Sequence, residues 1–388
     1  MSAIIVGYAR TPFVRFNGVF AQLPATQLGS HAISAALERA GVDAADVQRV
    51  FGGQVLQGGA GQNPARQSAV GAGIPFSVPA ITLNAVCLSG MEAIVDAVRL
   101  IDAGEIDIAV AVGQESMTLA PHARSLRGGH KYGAIEFLDT MEHDGLTDAF
   151  EHRSMGASTE ERNPGLKISR EDQDAWSAGS HARLAAGAEY LEAEIAPLTV
   201  PGRTPVVITA DDGLRADTTV ESLGKLRPAF DTSGTITAGN SSQITDGAAA
   251  VVIMSERAAA ERGIHGIARV LAHAFVAGPD VTLHAQPANA INAALGTIGR
   301  TSSELAAVEI NEAFAAVAVH STRLLGVDDA IVNANGGAIA LGHPIGASGT
   351  RIVGHLARRL ADAVPGSIGA AGICGGGGQG SAVVLEAL

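Results

Sequence analysis

Ala80-Ile81-Thr82-Leu83-Asn84-Ala85-Val86-Cys87-Leu88-Ser89-Gly90-Met91 is the stretch that decides the fold of this chain. Ala80 to Val86 is a short apolar strand. From Leu88 onward the apolar positions Leu88, Met91, Ile94, Val95, Val98 and Ile101 recur every three or four residues, one stripe of a buried helix. A strand that turns directly into a helix is the building unit of layered α/β proteins. Cys87 stands at the turn. A thiol at a helix N-terminus is expected to be acidified by the dipole and by free backbone N–H groups, so Cys87 is expected to react as a thiolate.

The same rhythm extends outward. Ala3–Val6, Arg49–Gln54 and Ile106–Val112 read as strands and Gln27–Ala40 as a helix, which predicts a largely parallel sheet with helices on both faces over residues 1–118. Residues 119–245 differ. They hold clusters of Pro, Asp, Glu and Arg and the single Trp176, with one clear helix from a capping-box entry at Ser169-Arg170-Glu171-Asp172 to about Glu189. Such a long irregular insertion is expected to cover a site. The β/α rhythm returns from about 246, with strands at Ala248–Met254, Ile267–Phe275, Val308–Asn311, Ala330–Asn335, Ser367–Ile373 and Ser381–Leu385. The expected division is 1–118, completed by 246–267, as an N-terminal α/β half, 119–245 as a loop or lid domain, and 268–388 as a C-terminal half. Both halves carry a thiol after an apolar strand, which suggests a duplicated unit.

Composition bounds the function. Apolar residues make up 47% but aromatics only 4%, and there are 48 glycines, so the core is built from Ala, Val, Ile and Leu in tight layers. A net charge of −13 argues against a nucleic-acid partner. The two cysteines form no disulfide framework, and no CxxC or HExxH pair offers metal-ligand spacing. The N-terminal run Ser2-Ala3-Ile4-Ile5-Val6 reads as a first strand without a basic leader, and no apolar stretch reaches bilayer length, so the expected location is the cytoplasm, away from membranes.

Cys374 opens Cys374-Gly375-Gly376-Gly377-Gly378-Gln379-Gly380, where only backbone surrounds the sulfur and a substrate can approach closely. Gly375, Gly377 and Gly380 match GxGxxG, but a dinucleotide fingerprint must enter a helix and Ser381–Leu385 reads as a strand. Successive glycine N–H groups fit an oxyanion hole better. The segment Gly336–Gly349 has the glycine spacing of a Walker A loop, yet His343-Pro344 replaces the required Lys. His343, held by Pro344, suits a general base for a thiol, or a structural loop. Asn311 ends a strand and either caps the next helix or supplies a catalytic amide. Gly239–Gln243 is a turn or a polar cradle.

The set Asn84–Gly90, Asn311-Glu312-Ala313-Phe314-Ala315, Gly342-His343-Pro344-Ile345-Gly346 and Cys374–Gly380 resembles, block by block and in order, the thiolase family. The similarity runs nearly end to end and includes Glu115-Ser116-Met117, Leu146–Phe150, Leu226–Asp231 and Thr237–Asn240. Within the family the chain looks most similar to biosynthetic acetyl-CoA acetyltransferases. The resemblance implies a five-layered α/β/α/β/α fold of two similar halves with a loop domain over coenzyme A. It implies acyl-CoA and CoA as partners, no metal or redox cofactor, and a homotetramer or homodimer, His122–Gly133 resembling the loop that pairs dimers.

Carried over by residue, Cys87 matches the acylated nucleophile, His343 its base, and Cys374 the acid/base for the α-proton. Asn311 matches the residue holding a water beside His343, and the N–H groups of Cys87 and Gly376 match the second oxyanion hole. Ser242 matches a pantetheine contact, and Arg215, Ser222 and Leu146 match positions about the adenine. Met155 and Phe230 match the acyl pocket, with Ala238, Ala313 and Phe314 among the substrate-binding positions. Ser154 stands where many members have His, Leu88 where a small residue is common, and Asp280–Pro287 where the family has a Met-Gly-x-Gly-Pro run. The expected function is reversible condensation of two acetyl-CoA. A 3-ketoacyl-CoA thiolase of longer-chain preference and a non-catalytic CoA-binding relative are the alternatives, while Cys374 argues against a ketosynthase with two His.

Overall fold

The computed structural model describes residues 2–388. Its spine is a ten-stranded sheet with the order Ala80–Leu83, Arg49–Gly53, Ile108–Glu115, Thr245–Ser255, Ala3–Arg10, Ala268–Ala277, Gln379–Ala387, Ile368–Gly375 and Leu305–Ile310, and with Val14–Arg15 paired off this path to Thr245–Ser255. At the centre, Ala3–Arg10 and Ala268–Ala277 share only the pairs Ile4↔Arg269 and Ile5↔Ala268. The sheet therefore nearly divides there. The single bridge between Val308 and Val332 supplies the second half with a fifth position. Both halves then follow one order: third segment, second, fourth, fifth, first. That repetition is the duplication the sequence suggested.

The sheet as a whole is mixed, but the strand pairs formed within residues 1–118 are parallel, as expected for that segment. Arg49–Gly53 runs parallel to Ala80–Leu83 and to Ile108–Glu115, and Leu305–Ile310 parallel to Ile368–Gly375, while the remaining pairs along the path are antiparallel. One cause is visible in the chain. The Gly376–Gly378 turn joins Ile368–Gly375 directly to Gln379–Ala387, and a tight turn can only join antiparallel strands. The expected strand Ala330–Asn335 is reduced to the Val332 bridge, because Asp329–Ile331 winds into a 3₁₀ turn first.

Hydrophobic burial sorts the elements into five layers. Ser89–Asp102 and Ser348–Ala361 lie in one core with the inner faces of both halves of the sheet, among them Ala111, Val251, Ala371 and Val383. Ala25–Ala40 and Pro64–Gly71 cover the outside of the first half. Gln286–Thr297 and Ala315–Leu325 cover the outside of the second. The Ser89–Asp102 helix is accordingly buried on nearly every side, not on a single stripe. A helix packed between two sheet faces has no side left for water.

Residues 119–244 give the main sheet no strand, only a single parallel bridge from Ile195 to Arg10. They hold the ribbon of His122–Ala123 with Leu138–Asp139, the ribbon of Leu198–Val200 with Val206–Ile208, and several helices. The helix Arg170–Ala186 starts at the capping box of Ser169 and Asp172, and a short turn at Gly187 separates it from Ala188–Glu192. Trp176 donates its indole N–H to Glu312 Oε1 at 2.9 Å and Ser180 Oγ donates to Glu312 Oε2 at 2.8 Å. This insertion is thereby tied to the loop that follows Asn311.

Candidate active site

Cys87 follows a backbone bend that the residue pattern does not reveal. The strand ends at Leu83, and Asn84 Oδ1 accepts the N–H of Val86 at 3.0 Å. Val86 has φ +52°, left-handed backbone that a β-branched residue rarely adopts. Ser89 holds the bend from both sides. Its Oγ accepts the Ala85 N–H at 2.9 Å and donates to Val86 O at 2.6 Å. The bend carries Cys87 out of the sheet and onto the entrance of the Ser89–Asp102 helix.

The glycine turn closes over this bend. A Cβ at Gly375 would stand 2.8 Å from Leu88 Cγ, so Leu88, fully buried, packs where only a bare backbone fits. The N–H groups of Cys87 and Gly376 both stabilise negative charge on the Cys87 sulfur. They do not outweigh burial. Burial first, and then the carboxylate of Glu115, push the thiol up to about 12. The sequence expectation of a resting thiolate is corrected: two N–H donors at a helix entrance recover less than the loss of water costs.

His343 sits in the equivalent place in the other half, just ahead of the Ser348–Ala361 helix. Its N–H donates to Gln243 O at 3.1 Å and to Thr245 Oγ1 at 3.2 Å. Nδ1 lies 2.6 Å from Ser348 Oγ, which in turn lies 3.1 Å from Pro344 O. Burial, with Arg351 adding to it, pushes the imidazole down to about 3. It is therefore neutral at physiological pH and able to accept a proton. Asn311 Nδ2 stands 3.4 Å from His343 Nε2, while Asn311 Oδ1 is buried with no partner. An unsatisfied buried amide oxygen beside an imidazole is a seat for a water or a substrate atom. The duplication thus relates Cys87 to His343 and not to Cys374, which lies near the end of a strand.

Cys374 is buried, and burial followed by the nearness of Cys87 pushes its thiol up as well. One cavity of about 70 Å3 is lined by Cys87, His343, Cys374 and Gly376, together with Leu146, Met155, Ser242, Leu283, Ala313 and Phe314. The remaining sequence candidates stand outside its lining. Phe230 packs edge-on to Phe314 with ring centroids 6.1 Å apart, over Gly156, where a Cβ would stand 2.2 Å from the ring. Arg215, Ser222 and Ala238 are exposed. Ser222 Oγ is spent in the capping box of the Val220–Gly224 turn with Thr219.

Two neighbours escaped the residue-by-residue reading. Ser348 belongs to the Gly336–Gly349 run, and its position five residues after His343, at a helix start, is the available signal. Glu115 is fully buried and accepts the N–H groups of Val55 at 3.0 Å, Leu56 at 3.2 Å and Gly346 at 2.9 Å. Its carboxylate joins the first half of the sheet to the His343 loop. Ser154, where the resemblance suggested His, caps the Met155–Arg162 helix by accepting the Ala157 N–H. Leu283 of the divergent Asp280–Pro287 run lines the cavity.

A neutral imidazole, two thiols and a strip of backbone N–H donors around one small cavity define a site for acyl transfer through sulfur. Residues 3–257 match the family description "Thiolase, N-terminal domain" and residues 264–387 match "Thiolase, C-terminal domain". The chain belongs to the thiolase family, an acyltransferase family. Among its relatives, a probable acetyl-CoA acetyltransferase of Mycobacterium tuberculosis is 51% identical over 100% of this chain and 99% of its own. The crystal structure of the Bacillus anthracis acetyl-CoA acetyltransferase superimposes with TM-score 0.96 at 34% identity, covering 100% of this chain and 99% of the other. That of the Acat5 thiolase from Ascaris suum in complex with coenzyme A gives TM-score 0.94 at 35% identity, with both chains fully covered.

Proposed function

We propose that this chain is an acetyl-CoA acetyltransferase, joining two acetyl-CoA into acetoacetyl-CoA and CoA and running the reverse thiolysis. The observation that carries this is the shared cavity: both sulfurs, His343 and Gly376 line it together. In the first half-reaction Cys87 sulfur attacks the thioester carbonyl while His343 takes the thiol proton. The carbon–sulfur bond to CoA then breaks, and the leaving thiolate takes the proton of Cys374. Acetyl-Cys87, an imidazolium at His343 and a thiolate at Cys374 remain, with no charge gained or lost.

In the second half-reaction the Cys374 thiolate takes an α-proton from the second acetyl-CoA. The electron pair left on that carbon attacks the acetyl carbonyl, and the bond to Cys87 breaks. His343 returns its proton to the departing Cys87 sulfur. A carbanion beside a thioester needs its oxygen stabilised, and a charged His343 with a water held by Asn311 supplies that. The N–H groups of Cys87 and Gly376 supply it for the acyl oxygen, each such donor contributing about 3 kcal/mol. CoA would lie along Ser242, Ala238, Ala313 and Phe314, with Arg215 and Ser222 at its adenine end under the 119–245 segment and Met155 and Phe230 toward the acyl group; Leu146, matched to the adenine end, lines the cavity of the two sulfurs instead.

We assign the enzyme to the cytoplasm, in fatty-acid metabolism; no described helix is long and apolar enough to cross a membrane. A homotetramer is supported by two features. Ala80–Leu83 is an open sheet edge carrying exposed Ile81, and the ribbon region exposes Leu126, Tyr132, Ile135, Phe137 and Leu138. Thiolysis of acetoacetyl-CoA, followed by loss of its enolate absorbance when CoA is added, tests the activity. Absence of turnover would leave a binding role or a different substrate.

A further inference from the structure

His343 is held from two sides, and both supports continue inward. The Ser348–Ala361 helix supplies Ser348 Oγ, 2.6 Å from Nδ1. The strand Leu305–Ile310 leads to Asn311, whose Nδ2 stands 3.5 Å from Nδ1 and 3.4 Å from Nε2. Ser348, Arg351, His355 and Arg359 follow one another along a single face of the helix. On the strand, Ala307 packs in the inner core and Val308 and Ile310 in the outer one, so Glu309 shares the inner face with Asn311. The two faces meet in polar rungs. The first is Ser348 and Asn311 at the His343 ring. The second is Glu309 against Arg351, His355 and Arg359.

The second rung is buried and unevenly paired. Arg359 Nη1 donates to Glu309 Oε1 at 2.6 Å, while Arg351 Nη1 stands 3.7 Å from Glu309 Oε2. Neither Arg351 Nη1 nor Glu309 Oε2 has a hydrogen-bond partner, and Arg351 is only 2% exposed. One carboxylate thus faces two guanidiniums and closes a hydrogen bond with one of them. Glu194, beyond His355, is occupied by Arg10 Nε at 3.1 Å, Tyr8 Oη at 3.3 Å and His355 Nδ1, with Arg358 Nη1 3.6 Å away. A buried charge in so loose a pair keeps much of its field, since neither a short contact nor water cancels it. The other titratable groups about His343 are Cys87 and Cys374, which line the cavity with it, and Glu115, which accepts the Gly346 N–H. After burial, Arg351 is what keeps the ring unprotonated.

We propose that Arg351, set by Glu309 one rung beneath His343, is a positioning residue whose charge keeps the imidazole free to take the Cys87 proton. The inference rests on the acyl transfer proposed above and gives that site a further residue. In the first half-reaction the Cys87 thiol proton passes to the ring as the sulfur bonds to the acetyl carbon. In the second the proton goes back to the Cys87 sulfur as that bond breaks. Arg351 does not line the cavity and gains or loses no proton. Its charge raises the energy of the imidazolium, so the ring starts as a base and returns the proton readily. A ring already protonated would leave Cys87 with no base.

The test is the rate at which acetyl-CoA acetylates Cys87, read by mass spectrometry from about pH 4 to about pH 8. Four proteins are compared: wild type, Arg351→Lys, Arg351→Gln and the double substitution Arg351→Gln with Glu309→Gln. Arg351→Gln removes the charge, so the acid limb of the rate should move up by about one pH unit or more. Arg351→Lys keeps the charge, and its limb should stay with that of wild type. The double substitution also loses the opposing charge of Glu309, so its limb should lie between those of Arg351→Gln and wild type. It leaves no carboxylate short of a partner, and it carries the test should Arg351→Gln alone fail to fold. Acid limbs that coincide in wild type, Arg351→Gln and the double substitution would overturn the assignment, as would a limb displaced equally by Arg351→Lys and Arg351→Gln. Absence of an adduct on wild-type Cys87 would instead overturn the acyl-transfer reading, and this inference with it.

Discussion

Ser348 Oγ lies 2.6 Å from Nδ1 of His343 and 3.1 Å from the carbonyl oxygen of Pro344. A hydroxyl has one proton. If it is given to the Pro344 carbonyl, the oxygen accepts the Nδ1–H of His343 and leaves Nε2 with its lone pair free. Nε2 is then the ring nitrogen that can take a proton, and Asn311 Nδ2 stands about equally near both, 3.5 Å from Nδ1 and 3.4 Å from Nε2. The buried hydroxyl thus selects the tautomer, as the third member of nucleophile–base arrangements does elsewhere.

Ser348→Ala removes that selection without touching substrate. The expected loss is about tenfold in kcat, the value of one hydrogen bond at the upper end of its ordinary range, with KM for acetyl-CoA little altered. Steady-state kinetics separate the two parameters. A change confined to KM would show that Ser348 shapes the pocket and does not orient the base.

The two sulfurs are proposed to divide the chemistry, so their single substitutions should fail differently. Cys87→Ala should show no acetyl adduct by mass spectrometry after incubation with acetyl-CoA. Cys374→Ala should still acquire the adduct on Cys87 but exchange no α-deuterium of acetyl-CoA with solvent. Turnover in either variant should drop by at least about a hundredfold, the range seen when a positioned proton-transfer group is deleted. Normal washout in Cys374→Ala would assign proton abstraction to another group.

How far the sequence disclosed this site depends on the kind of contact. The strand-to-helix turn at Cys87, the Ser169–Asp172 capping box and the four family blocks were legible, since each is written in adjacent residues. Val86 is different. Its left-handed backbone is imposed by Asn84 and Ser89, and nothing about valine announces it. The protonation of Cys87 was misjudged for a related reason. Its helix entrance is local and visible, whereas Glu115, whose charge opposes ionisation of the thiol, comes from another segment. Glu115 acts through partners in other segments, so its residue type alone gives no signal, whereas Ser348 meets His343 and Pro344 five and four residues away and only its place at a helix start points to it. The parallel pairing expected of residues 1–118 is found there, whereas the antiparallel pairs come from strands beyond that segment, one of them through the glycine turn read only for its N–H groups.

Glu312 tests the seam between the insertion and the second half. It is fully buried and accepts from Trp176, Ser180, Asn333 Nδ2 at 2.9 Å and the Ile339 N–H at 3.0 Å. Glu312→Ala would leave four buried donors without their acceptor. Each orphan costs about 1–3 kcal/mol, although they do not add fully, and a total of about 3 kcal/mol or more is expected. Urea unfolding should show the midpoint falling accordingly. A change below about 1 kcal/mol would mean that water replaces the carboxylate.

Glu115 makes a pH-dependent prediction whose sign can be worked out. Burial raises its carboxyl to about 7, against three backbone N–H bonds that lower it and the charge of Asp246, which raises it. Between the ordinary carboxylate range and pH 7 the folded protein therefore holds a proton that the unfolded chain has released. Stability must fall as pH rises through that window and level off above it. Glu115→Gln, which keeps an acceptor for part of the N–H set, should lack this decline. The difference in unfolding free energy between wild type and variant should then shift by about 3 kcal/mol from pH 4.5 to pH 8. The same charge opposes ionisation of Cys87, so above pH 7 the variant's Cys87 should be alkylated by iodoacetamide faster than the wild type's. Parallel stability curves in the two proteins, with equal alkylation rates, would show that Glu115 stays ionised throughout and leaves the nucleophile untouched.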